Sequence, residues 1–117
     1  MSAIKTTARP PAVQERLEWM VDLFGNNRVA EMLGVSRSQP SRWRRGLEGL
    51  DDENRRHVAD LDYVLIRLLY LYVPDVAVVW LESPHPLLGT RPMDAMRLRG
   101  PAAVIPALDL EEEGGYA

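Results

Sequence analysis

The segment that most constrains this chain is residues 52–73. Val58, Leu61, Leu65, Leu68 and Tyr72 recur at alternating steps of three and four, which lays an apolar stripe along one side of an α-helix. Val64, Ile66, Leu69 and Leu71 widen that surface far beyond a stripe. A helix that is apolar around most of its circumference has to be buried on several sides. A chain of 117 residues has room for one compact domain, or for two very small ones sharing a core. Burying every apolar face of this helix inside one such monomer is difficult. The segment therefore predicts a central helix that also joins two copies of the chain, through Tyr63, Leu65, Leu68, Leu69, Tyr72 and neighbouring surface.

Shorter helical patterns flank it. Val13, Leu17, Met20, Val21 and Phe24 keep helical spacing across residues 11–24, and Gly25 follows as a C-cap. Asn26 and Asn27 can cap a second helix, residues 28–33, which stops at Gly34. Ser36 or Ser38 can cap a third, running to Arg45 ahead of Gly46, and Asp51 or Asp52 caps the central helix. Beyond Pro74, residues 75–81 make a brief apolar helix carrying Trp80, and residues 83–86 turn because two prolines so close cannot continue it. Thr90 caps a short helix to Leu98. Gly100 and Pro101 open a last one, which Pro106 should kink. No sustained polar–apolar alternation signals a strand, so the expected fold is all-α.

Composition limits the function. The 46% hydrophobic and 26% charged content is that of an ordinary globular protein. No run of eighteen apolar residues is present, and the polar opening residues 1–10 read as a disordered arm rather than a signal peptide. The absence of cysteine removes disulfides and thiolate metal sites and fits a cytoplasmic protein. A net charge of −3 argues against a generally basic binder of nucleic acid. The charge is unevenly spread, however. Arg28, Arg37, Arg42, Arg44 and Arg45 fall in one short window opposed only by Glu31, while acids collect at Asp51, Asp52, Glu53 and at Glu111, Glu112, Glu113. Such a window can form a local phosphate-binding face.

Residues 26–45 match a helix-turn-helix position by position. Ala30 is the small residue where two helices cross closely, and Gly34 gives the turn a left-handed backbone. Val29, Leu33, Val35 and Trp43 are apolar where the second helix must be held on the first. Its outward residues would be Ser36, Arg37, Ser38, Ser41, Arg42 and Arg45, hydroxyls and guanidiniums suited to phosphates and guanine edges. Pro40 is a departure, standing where a branched apolar residue is usual. It is tolerated if Ser38 is the cap and removes a helical bond if Ser36 is.

The second half carries an order of residues that resembles the Xre/MbcA/ParS antitoxins: Trp80-x-x-Ser83-Pro84, Leu88-Gly89-x-x-Pro92, Met96 to Gly100, Val104, and a closing Gly114, Gly115, Tyr116, Ala117. With the helix-turn-helix, the resemblance spans about residues 13–117. It implies an antitoxin of a type II toxin–antitoxin pair, whose toxin carries a RES domain and degrades NAD. It further implies operator DNA as a partner, a homodimer, and a higher hetero-oligomer with the toxin. Trp80, Pro84, Leu88, Gly89 and Pro92 would frame the toxin-binding domain. Glu111, Glu112, Glu113, Gly114, Gly115, Tyr116 and Ala117 would plug the NAD-binding cleft. A cleft built for a pyrophosphate should be cationic, so the acids suit it, the glycines thread it, and Tyr116 offers a flat ring. Pro106 departs from the uninterrupted helix that the pattern expects.

The expected organisation is thus an arm at residues 1–10, a helix-turn-helix domain at 11–57, and a central helix with a small helical toxin-binding domain and tail at 58–117. The alternative is a stand-alone helix-turn-helix transcriptional regulator without a toxin. No enzyme, metal or cofactor is expected. His57 lies beside Arg55 and Arg56, His85 sits between prolines, and the two histidines are far apart in sequence.

Overall fold

The computed structural model describes residues 12–114. Among these it is all-α: α1 (Val13–Phe24), α2 (Asn26–Leu33), α3 (Gln39–Arg44), α4 (Asp52–Leu69), α5 (Pro74–Glu82), α6 (Pro92–Arg99), a 3-10 turn (Pro101–Ala103) and α7 (Ile105–Glu112). The expected arm at residues 1–10 and the tail residues Gly115, Tyr116 and Ala117 lie outside the described residues.

Local chemistry sets most boundaries. The Glu15 carboxylate accepts the Ala12 N–H at 2.7 Å and fixes the start of α1. Gly25, at φ 90°, ends it and returns its N–H to the Val21 carbonyl at 2.8 Å. Asp51 caps α4 by accepting the Asn54 N–H at 2.8 Å, and Asp52 and Glu53 add favourable charge to its first turn.

The central helix is shorter than its apolar pattern suggests, ending at Leu69 rather than Val73. Pro74 is the cause. It forces Val73 into extended backbone (φ −66°, ψ 160°) and itself begins α5. Two further expectations are corrected near prolines. Arg91, not Thr90, precedes α6, while the Thr90 carbonyl accepts the His85 N–H at 3.0 Å and closes the preceding loop. Pro106 kinks nothing, because the last element divides into the 3-10 turn and α7, placing Pro106 in the first turn of α7, where its missing N–H is not needed.

Helix α4 packs against α1, α2, α5 and the 3-10 turn. Its side chains Val58, Leu61, Val64, Leu65 and Leu68 are completely buried. One contiguous core runs from Leu17 and Met20 of α1, through Leu33 and Trp43, to Ala77, Met93, Val104 and Leu108. The boundary expected at residues 57 and 58 therefore separates two segments built on a single core. Among the described residues no helix is long and apolar enough to cross a membrane.

Candidate functional site

The two-helix unit α2–α3 is built around Gly34. The glycine adopts the left-handed conformation (φ 71°, ψ 32°), and the next N–H, of Val35, reaches back to the Ala30 carbonyl at 3.0 Å. Ala30, Val29 and Leu33 are buried on α2, and Pro40 and Trp43 on α3. The helix opens after Ser38, so Pro40 falls in its first turn without loss of a helical bond. Ser38 itself makes no capping bond; its hydroxyl accepts from Arg42 Nη1 at 2.9 Å and lies 3.4 Å from that of Ser36. The Asn26 side-chain amide donates to the Arg37 carbonyl and ties the start of α2 to the approach of α3.

Ser36, Arg37, Ser38 and Arg45 are exposed on this unit, and Ser41 and Arg42 are half-buried. The basic window is less free than its sequence implies, because acids from distant elements reach it. Arg44 turns away to Glu18 of α1 at 2.5 Å, a contact that holds the Glu18 carboxyl below its usual range and raises Arg44. Arg28 pairs with Glu82 of α5 at 3.3 Å. Arg42 donates to Glu48 at 3.1 Å and to Gln39 at 3.0 Å. Among the described residues, Arg37 and Arg45 have no ion-pair partner. Within this window they are the cations most available to a phosphate.

The C-terminal candidates surround His85, which is only 6% exposed. Its Nδ1 accepts the Leu87 N–H at 3.1 Å, so its proton belongs on Nε2, which faces the Glu111 carboxylate at 3.5 Å. Tyr72 donates its hydroxyl to the other Glu111 oxygen. That bond, with burial, pushes the Tyr72 phenol up to about 12. Trp80 packs edge-on to the His85 ring at 5.6 Å, and its buried Nε1 has no hydrogen-bond partner among the described residues. Leu88 is half-buried, Pro84 and Gly89 are exposed, and Pro92 is buried at the start of α6. Gly89 (φ 70°) completes the loop, with its N–H on the His85 carbonyl at 3.0 Å. Tyr72, Val76, Val79, Trp80, Pro84 and His85 line an apolar groove of about 280 Å³, and Val73, Val76 and Val79 leave an exposed apolar strip beside it.

The acidic run serves the fold first. Glu111 is gripped by Tyr72 and His85, and Glu112 by Arg67 at 2.6 Å. Arg67 also holds Asp109 at 2.8 Å and lies over the Tyr63 ring at 5.7 Å. The Arg67 guanidinium keeps the Glu112 carboxyl below its usual range. Glu111 and Glu112 thus tie α7 to α4 and the His85 loop, and cannot engage a cationic cleft without first leaving those partners. Of the expected plug, Glu113 and Gly114 are exposed, and Gly115, Tyr116 and Ala117 fall outside the described residues.

The expected dimer residues divide sharply. Leu65 and Leu68 are 0% exposed and belong to the protomer core, so they present no surface to a second copy. Leu69 and Tyr72 are half-buried. The outer face of α4 is formed instead by Tyr63, 45% exposed, and Ile66, 43%, and continues in Tyr70, 87%, just past the end of the helix. Ile66, Leu69 and Tyr70 join Trp19 and Arg16 of α1 around a largely apolar groove of about 460 Å³, with Asp62 at its wall accepting the Trp19 indole N–H at 2.7 Å. Ile66 is legible in the sequence as an apolar member of the helix; which side it faces depends on where α1 packs. Comparisons of the chain with protein-family models, curated proteins and solved structures return no match.

Proposed function

We propose that this chain is the antitoxin of a type II toxin–antitoxin pair. It binds operator DNA as a homodimer through α2 and α3, and it blocks the NAD-binding site of a RES-domain toxin with its C-terminal half. The observation that carries the DNA-binding part is the two-helix unit itself: a left-handed Gly34, a buried Ala30 between the helices, and a short α3 flanked by Arg37 and Arg45, both exposed and without an ion-pair partner among the described residues. The apolar face of α4 around Ile66 and Tyr70 supports a two-fold partner, since one short basic helix offers little affinity until two half-sites are read together. The toxin-binding part rests on the resemblance of residues 80–117, and the apolar strip Val73, Val76 and Val79 beside the α5 groove supports a protein partner there.

A second reading, a transcriptional regulator without a toxin, is favoured by the engagement of Glu111 and Glu112 within their own chain. The DNA-binding claim common to both is tested by gel shift on the region upstream of the chain's own gene. Wild type is expected to retard this fragment. Replacing Arg37 and Arg45 together by Ala should weaken binding and reduce the salt slope by about 1 for each phosphate that is no longer neutralised. Equal affinity and equal slope would refute the assignment of these two residues.

A further inference from the structure

The turn of the DNA-reading unit is covered by a side chain from the other end of the sequence. Arg97 of α6 lies against Gly34: a Cβ added to the glycine would stand 2.7 Å from Arg97 Cδ and 3.0 Å from its Nε. Gly34 is favoured for its left-handed backbone, and its lack of a side chain lets the outer part of Arg97 lie directly against the turn. Arg97 is itself held. Its Nη2 donates to Asp94 at 3.2 Å, and Asp94 is fixed by Arg91, with Nε at 2.7 Å and Nη2 at 3.1 Å. These contacts, Arg91 foremost, keep the Asp94 carboxyl below its usual range. On its other side Arg97 borders a narrow crevice with Leu33 of α2 and with His57 and Asp60 of α4. It thus stands where α2, α4 and α6 meet, with its stem over the one residue from which the chain turns toward α3.

We infer that Arg97 is a positioning residue for DNA recognition: held by Asp94, it fixes the Gly34 turn and so the orientation of α3, making DNA affinity depend on the C-terminal half of the chain. The inference rests on the DNA-binding reading of α2 and α3. Physically, a left-handed glycine is the most permissive joint in a short chain, and a guanidinium stem lying over it, anchored at its far end, removes that freedom. Arg97 differs from Arg37 and Arg45 in function as well as in place, since it acts through the turn and not on the nucleic acid.

The test uses the full chain with Arg97→Ala, Arg97→Lys and Asp94→Asn. The probe is the duplex upstream of its own gene, titrated at several salt concentrations, with amide hydrogen exchange of residues 35–45 measured in the free protein. Arg97→Ala is expected to weaken DNA binding by about tenfold, within the usual range for coupled sites. The salt slope should stay unchanged, and exchange across residues 35–45 should quicken. Asp94→Asn should shift both readouts the same way by less, and serves alone if Arg97→Ala does not fold. Arg97→Lys keeps the aliphatic stem over Gly34 and should recover most of the affinity. A salt slope lowered by about 0.9 in Arg97→Ala would make Arg97 a phosphate contact and overturn the positioning role. Wild-type affinity and wild-type exchange in both Arg97→Ala and Asp94→Asn would overturn it as well. If wild type binds no duplex, the DNA-binding reading fails, and the exchange measurement still decides whether Arg97 holds the turn.

Discussion

Leu65→Ala should lower the unfolding free energy by about 2–5 kcal/mol, read by denaturant titration at several protein concentrations. Leu65 is fully buried in the protomer, among a row of α4 side chains that face α1, α2 and α5. Truncation removes apolar packing and leaves a cavity that a close-packed core closes only in part. The concentration dependence of the effect separates two roles that sequence assigns to one residue. A side chain at a dimer contact would change stability in step with protein concentration, whereas a core residue destabilises at every concentration. A loss below about 0.5 kcal/mol would place Leu65 outside the core and contradict the packing of α4.

Ile66→Asp should have the complementary effect. Ile66 is one position along the same helix, yet 43% exposed, on the apolar face shared with Tyr63 and Tyr70. A charge there costs the isolated protomer little, but a desolvated carboxylate facing an apolar partner surface has no compensation. Under the proposed homodimer, light scattering at micromolar concentration should give a dimer for wild type and a monomer for Ile66→Asp. DNA affinity should then fall by about a hundredfold as the second half-site is lost. A wild-type monomer, or an Ile66→Asp dimer, would place the two-fold contact elsewhere or remove it.

These two neighbours also show how far the sequence can be read. Local signals carry well: Gly25 and Gly34 end helices, Asp51 caps α4, and the preference for Ser38 over Ser36 that Pro40 demands agrees with the opening of α3. Each depends on a few consecutive residues and the backbone geometry they permit. The apolar breadth of residues 58–72 correctly requires burial on several sides. Which side faces the core and which faces outward is not in the pattern, because that is decided by where α1 and α5 dock. The long-range ion pairs are illegible for the same reason. Arg44 meets Glu18 across 26 positions of sequence and Arg67 meets Glu112 across 45. Nothing in the spacing of these residues marks them as partners, and their engagement changes the chemistry of the two candidate sites. The basic window keeps Arg37 and Arg45 unpaired among the described residues, and the acidic run has only Glu113 left exposed beyond its two anchored members.

Glu111 and Glu112 hold α7 against α4 and the His85 loop, so a partner that drew on either acid would first have to break those contacts. The antitoxin claim is tested most directly by NAD consumption. A RES-domain toxin, sought under this reading in the gene beside the chain's own, is mixed with increasing amounts of this chain, and the loss of NAD is followed over time. The account predicts that consumption stops as the chain approaches stoichiometric amounts, and that the two proteins co-purify. Undiminished NAD loss in the presence of excess folded chain would contradict it.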